Sequence, residues 1–157
     1  MEIRRFRASD MKQIVSLFYE TVHSVNKQDY SSDQLDAWAP REEEALKLKN
    51  WKSSFLQNIT YVAEINGVMV GFTDMTTEGH LDRLYVHKDF QRQGIASALL
   101  NQLESEASAL GLREMDTEAS ITAKPFFERQ GYQIIQEQVV ERKGICLVNF
   151  RMSKKLI

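Results

Sequence analysis

Strand and helix signals alternate along this chain in an order that predicts a mixed α/β (α+β) fold, with a mostly antiparallel central sheet flanked by helices. Three observations carry the prediction. Asn66-Gly67 separates two runs of strand-forming residues and is the strongest short hairpin signal. An apolar stripe of helical period covers residues 94–110 between strand patterns. Two closing strand patterns meet at Lys143-Gly144.

From the N-terminus, residues 2–7 alternate as a first strand, with Ile3 and Arg5 opposite Glu2 and Phe6. Ser9 is placed as an N-cap, and Ile14, Leu17, Phe18, Thr21, Val22 and Val25 trace a helical stripe. Residues 26–40 are polar, punctuated by Tyr30, Leu35 and Trp38. Helical pattern resumes over 41–56, with Ala45, Leu46, Leu48, Trp51, Phe55 and Leu56 as its apolar positions. Its opening Arg41-Glu42-Glu43-Glu44 suits a solvated helix start. Strands follow at 60–65, 68–73 and 79–87, then the helix of 94–110, stopped by Gly111. A strand at 112–118, a short helix at 121–130 capped by Gly131, and strands at 132–141 and 145–153 complete the order.

Composition narrows the class of protein. A chain of 157 residues with 43% hydrophobic and 27% charged residues suits one domain over 1–157 with a real core. No repeat or Pro/Gly/Ser linker divides it. A net charge of −2 lacks the basic balance expected of a nucleic-acid binder. The single cysteine, Cys146, cannot form an internal disulfide and is expected as a small apolar strand residue. The segment from Met1 to Phe6 lacks a signal-peptide apolar run, and no stretch approaches the ~20 apolar residues of a spanning helix. A cytoplasmic protein without a membrane partner or a metal site is the expectation.

The most informative segment runs from Leu84 to Leu100. A strand enters a turn, and Gly94 and Ala96 stand where a helix begins. Helix starts leave backbone N–H groups unpaired and partially positive, and small residues let a ligand's phosphates approach them. The local prediction is an anion cradle for a pyrophosphate. The spacing G-x-x-x-x-G-K-[ST] is absent, and no G-x-G-x-x-G follows an early strand, which weakens a nucleotide-binding reading.

Gln91-x-x-Gly94-x-Ala96, after the strand Asp82-Arg83-Leu84-Tyr85-Val86, resembles the acyl-CoA signature Q/R-x-x-G-x-G/A of the GNAT acyltransferase superfamily. Downstream, Ala123, Phe126, Gly131 and Tyr132 fall in register with the family's other cofactor segment, N-x-x-A-x-x-F-Y-x-x-x-G-F/Y. The plain alternative for the latter is an ordinary amphipathic helix with a glycine stop. Both motifs in order, together with the element order, extend the resemblance along nearly the whole chain. The segments at 30–40 and 122–129 are also similar to a bacterial branch of acetyltransferases.

The resemblance implies that the sheet splays between two parallel strands ending near Val86 and Glu118, with acetyl-CoA in the opening. Leu84, Tyr85 and Val86 would contact acyl group and pantetheine. Amides of Gln91, Arg92, Gln93, Gly94, Ile95, Ala96 and Ser97 would hold the pyrophosphate. Ser120, Ala123, Phe126 and Phe127 would flank the cofactor, and Arg129 would reach toward the nucleotide. The implied reaction is direct acetyl transfer from the thioester to an amine of a small molecule or peptide, with no metal. The family's frequent general-acid tyrosine is Phe127 here, and its leading Asn is Ser120. Water, a different tyrosine such as Tyr85 or Tyr132, or a thiolate leaving unassisted would then serve. Asp82 is the leading base, two residues before Leu84 and therefore expected on its face, with Asp74, Glu118, His80 and His87 as other candidates. His23, Tyr30 and Trp38 are the candidate substrate contacts, the plain alternative being that Trp38 and Leu35 dock a short helix onto the core. A non-catalytic acyl-CoA-binding module is the competing function. The C-terminal strands offer an edge for a possible homodimer.

Overall fold

The computed structural model describes all of residues 1–157. Its strands are β1 (Glu2–Arg5), β2 (Ile59–Ile65), β3 (Val68–Met75), β4 (His80–Val86), β5 (Glu114–Ser120), β6 (Gln133–Arg142) and β7 (Ile145–Lys155). Its helices are α1 (Met11–Ser24), α2 (Ser32–Trp38), α3 (Glu44–Gln57), α4 (Ile95–Ala109) and α5 (Lys124–Arg129). One seven-stranded sheet has the order β1-β2-β3-β4-β5-β7-β6. Every neighbouring pair is antiparallel except β4 and β5, which are parallel.

Strand alternation sends successive side chains to two cores. Tyr61 and Ala63 of β2 and Val70 of β3 join Ile95, Leu99, Leu100, Leu103 and Ala107 of α4 on one face. Val62 and Phe72 join Ile14, Leu17, Phe18 and Val22 of α1 and Phe55 of α3 on the other. Burying the α4 stripe holds that helix, and hence its N-terminus, in a fixed place against β3.

The hairpin forms as expected: Asn66 and Gly67 take φ of 51° and 78°, and Ile65 faces Val68 across the turn. Other details differ. β1 ends at Arg5, and Asp10 rather than Ser9 closes the entry to α1, because its carboxylate accepts the Arg7 amide at 2.7 Å. The stretch 26–40 contains α2, started by a reciprocal cap. There the Gln34 amide donates to Ser31 Oγ at 3.2 Å, and the Ser31 amide to Gln34 Oε1 at 2.9 Å. In α3 only Phe55 is fully buried, whereas Leu46 and Leu56 face solvent. Cys146 is exposed on β7.

β4 and β5 pair only through His80↔Asp116 and Leu81↔Thr117. Thr117 Oγ1 donates to the Leu81 carbonyl at 3.0 Å, which satisfies the last acceptor at the crotch. Beyond it the strands part, and the sheet is forked.

Gly71 marks the closest approach of α4 to the sheet. A Cβ there would meet Leu99 Cδ1 and the Tyr85 carbonyl at 3.1 Å and Ile95 Cγ2 at 3.2 Å. The carbonyl belongs to the sheet ladder and cannot yield. Gly71→Ala is expected to lose about 1–3 kcal/mol in urea denaturation through overpacking; an unchanged midpoint would contradict this packing.

Candidate active site

The fork opens into a cleft of about 1440 Å³. Its walls are β4, the loop before α4, the end of β5 with the segment that follows, and the turn after α1. The His87 amide donates to the Val70 carbonyl at 2.8 Å. Counting back along an antiparallel ladder, Tyr85 and Arg83 also bond toward β3, so the main-chain groups of Leu84 and Val86 point toward the gap. The Val86 carbonyl is already engaged, accepting from Gln91 Nε2 at 2.6 Å and Thr21 Oγ1 at 3.2 Å. The amides of Leu84 and Val86 remain as donors along the open strand.

At the mouth lies the loop 91–97. None of its amides donates to an acceptor in the chain, and the first backbone bond of α4 runs from the Ala98 amide to the Gly94 carbonyl at 3.0 Å. Arg92 and Gly94 take left-handed φ of 61° and 81°, a concave arrangement that turns successive N–H groups toward one point. A Cβ at Gly94 would touch nothing within 4 Å. Glycine is therefore required there for its backbone angle and for access, not for packing. The helix dipole adds positive potential at the same place. The arrangement suits a diphosphate.

The motif glutamine has a role that spacing alone missed. Gln91 turns its side chain back onto the strand, bonding Val86 and also His87, whose carbonyl is 3.3 Å away, so it fixes the loop to the fork. Arg92, Gly94, Ile95, Ala96 and Ser97 line the cleft, whereas Gln93 does not. Ser97 Oγ accepts from Gln130 Nε2 at 3.1 Å, which ties the first turn of α4 to the end of α5. Across the opening stand Ser120, Ala123, Phe126 and the exposed Arg129. Ser120 Oγ accepts the Ala123 amide at 3.0 Å. Phe127 also borders the cleft, although it is only 3% exposed and packs against Phe126 and Tyr132 in the core beneath the cofactor segment.

Several expected contacts lie elsewhere. His23 Nε2 pairs with the Ala39 carbonyl at 2.8 Å and clamps α1 to the end of α2, outside the cleft. Tyr30 is buried, donating to the Val148 carbonyl at 2.6 Å and accepting the Ile121 amide at 2.9 Å. His87 accepts the Asp89 amide at 3.1 Å and also lies outside. Tyr132 donates to Glu104 Oε2 at 3.0 Å beneath the sheet, which removes it as a proton donor. Trp38 does reach the cleft, with its ring against Tyr30.

Of the chain's five tyrosines, only Tyr85 lines the cleft. Tyr19, Tyr30, Tyr61 and Tyr132 each give their hydroxyl to a carbonyl or carboxylate. Tyr85 packs edge-on to Phe18 and beside Phe72. Burial pushes its phenol above the usual tyrosine range, with Arg83 and Trp38 offsetting only part of the effect, so it stays protonated.

Asp82 is at the crotch, but not on the face that strict alternation gave it. The ladder shifts between Asp74↔Arg83 and Met75↔Leu81, which makes Asp82 the extra residue of a bulge. Leu81, not Asp82, packs with Leu84. The Asp82 carboxylate accepts from Asn58 Nδ2 at 3.1 Å and lies 3.5 Å from His80 Nε2. His80 Nδ1 is 2.8 Å from Asp116, and His80 itself does not line the cleft. Glu118 lines the cleft and accepts from Gln138 Nε2 at 3.1 Å.

Asp74 is fully buried, bound by Arg83 Nη1 at 2.5 Å and Asn58 Nδ2 at 2.9 Å, with Oδ1 left unpaired. Burial pushes its pKa up to about 6, outweighing the pull of Arg83 and Asn58. It is a structural carboxylate away from the cleft, not a base.

Residues 26–154 match the acetyltransferase (GNAT) domain model. The chain is 37% identical over 155 residues to the uncharacterized N-acetyltransferase YafP of Escherichia coli strain K12, covering 99% of this chain and 96% of that protein. The chain belongs to the GNAT acetyltransferases. A GCN5-related N-acetyltransferase from Rhodopseudomonas palustris superposes with a TM-score of 0.92 at 29% identity, over 98% of this chain and 94% of that one. YncA of Salmonella typhimurium, solved with acetyl-CoA, superposes with a TM-score of 0.73 at 19% identity, over 99% and 94%. This GNAT protein is an acetyl-CoA-dependent N-acetyltransferase. No helix of the chain is long and apolar enough to cross a membrane.

The buried Asp74 generates a stability prediction. Its folded-state pKa exceeds the unfolded value of 3.8, so the folded protein holds this proton more tightly. The stabilisation is complete below the unfolded value and is lost as pH rises through about 6. Relative to Asp74→Asn, the wild-type protein should lose on the order of 2–3 kcal/mol between pH 4 and 7. Chemical denaturation of both proteins across that range measures it, and parallel pH profiles would rule it out.

Proposed function

We propose that this enzyme transfers acetyl directly from acetyl-CoA to a primary amine of a small molecule or peptide, with residues 1–157 acting as one domain. The observation that carries the reading is the row of unpaired amides at 91–97, at the mouth of a fork whose open strand presents further free donors. The amides of Gln91, Arg92, Gln93, Gly94, Ile95, Ala96 and Ser97 hold the diphosphate. Leu84 and Val86 offer main-chain donors to pantetheine and to the thioester carbonyl, in the manner of an added strand. Ser120, Ala123 and Phe126 form the facing wall.

In this reading the amine arrives from the side of Trp38 and Tyr85. Its nitrogen forms the new bond to the acetyl carbon, the carbon–sulfur bond breaks, and the nitrogen gives up a proton. Asp82, beside His80, receives that proton through water. The Tyr85 phenol donates a hydrogen bond to the departing sulfur, in place of the tyrosine that position 127 lacks. Holding amine and thioester together supplies much of the remaining acceleration.

A second reading, a binding module without turnover, is favoured by Phe127, which is buried and has no proton to give. Release of free thiol from acetyl-CoA over a panel of primary amines separates the two. Thiol release is expected with at least one amine; saturable CoA binding with no turnover would support the module instead. Ala96→Asp refines the test. A carboxylate in the first turn of α4 favours the helix but repels a diphosphate. The variant should melt no lower than the wild type, yet bind CoA at least about tenfold more weakly; equal affinity would remove the cradle from the account.

A further inference from the structure

One polar side chain on the cleft wall is buried without a partner. Asn26 opens the single turn Asn26–Gln28 after α1 and is 5% exposed. Its main-chain carbonyl is used twice, accepting the amides of Asp29 at 3.0 Å and Tyr30 at 3.1 Å. That fixes the turn, and with it the direction of the side chain. The carboxamide itself bonds to nothing in the chain, although it carries two donors and an oxygen acceptor. The only side-chain atoms both unpaired and fully occluded are Asp74 Oδ1 and Asn149 Oδ1. The Asn26 amide atoms therefore keep contact with solvent inside an otherwise buried residue, and the space that Asn26 lines is the cleft. Thr21, Trp38 and Tyr85 line the same wall.

We propose that Asn26 binds the acceptor: its Oδ1 accepts an N–H of the incoming amine and aims the nitrogen lone pair at the thioester. This rests on the acetyltransferase reading and adds the residue that positions its second substrate. A neutral amide is chemically suited to the task. A carboxylate would hold the amine as ammonium, which has no lone pair and cannot attack, whereas a carboxamide accepts from the free amine without favouring its charge. Asn26 takes no proton, so deprotonation stays with Asp82. The other charged groups along this part of the cleft are Lys27 and Asp29 of the same turn, Asp82 and Arg83 of β4, and Glu118 of β5.

Two variants test the proposal, with ethanolamine, lysine, spermidine, a short peptide and hydroxylamine as acceptors. Asn26→Ala should raise the KM for the amine at least tenfold and leave the KM for acetyl-CoA within twofold. The near-isosteric Asn26→Asp should move the rising limb of the kcat profile, which reports ionisations of the enzyme–amine complex, to higher pH by half a unit or more, a shift that a merely structural residue would not produce. CoA calorimetry on all three proteins separates the two levels of the account. If the wild type fails to bind CoA, the enzyme reading falls first. If CoA binds equally to all three and the variants keep the wild-type amine KM and pH profile, this proposal alone is overturned. If CoA binds but no acceptor releases thiol even with the wild type, both fall.

Discussion

The early end of pairing between β4 and β5 is the constraint on which the rest of this molecule depends. A parallel pair that stopped without compensation would leave carbonyls and amides exposed in the middle of a sheet. Here each end of the gap is managed differently. Thr117 caps the Leu81 carbonyl at the crotch, and Gln91 with Thr21 caps the Val86 carbonyl at the tip. Between the caps, the amides of Leu84 and Val86 stay open. The Val86 carbonyl is satisfied by side chains while the Leu84 carbonyl and the Leu84 and Val86 amides are left free, so the open strand can pair with both donors and acceptors of an extended ligand, followed by a group rich in negative oxygens at the start of α4.

Rigidity around the fork comes from the two cores. On one face α4 seats closely over Gly71, and Tyr132 bonds Glu104. On the other, Arg83 lies 4.7 Å from the ring centres of both Trp51 and Phe55 and is anchored by Asp74. Each strand of the fork is thus bolted through its outer neighbour to a helix layer. The cost is a buried carboxylate with one unpaired oxygen, held where its charge is disfavoured. A cleft between rigid walls keeps its donors oriented before a ligand arrives, the condition under which fixed dipoles act on developing charge.

Much of this was legible in the residues. The hairpin, the α4 stripe and the small-residue turn were readable because each depends on local periodicity or on backbone angles that few residues adopt. What the sequence did not show was decided by contacts distant along the chain. Asp82 left its expected face because of a bulge, and no single-strand pattern reveals an extra residue opposite another strand. Tyr30 looked like a loop aromatic until β7 and the turn at Ile121 closed around its hydroxyl. His23 turned to the Ala39 carbonyl because the end of α2 brought that carbonyl near. Asn26 escaped notice for the same reason: its distinction is an absence of partners, which appears only when the surrounding chain is in place.

The central claim is that free main-chain donors in the loop and along the fork grip the donor thioester. Amide chemical shifts followed by NMR during titration with CoA test it most directly. The account predicts saturable downfield shifts of the amide protons of residues 91–97, of Leu84 and of Val86, as they gain acceptors. Saturable binding that leaves those amides in place and perturbs a different surface would contradict it.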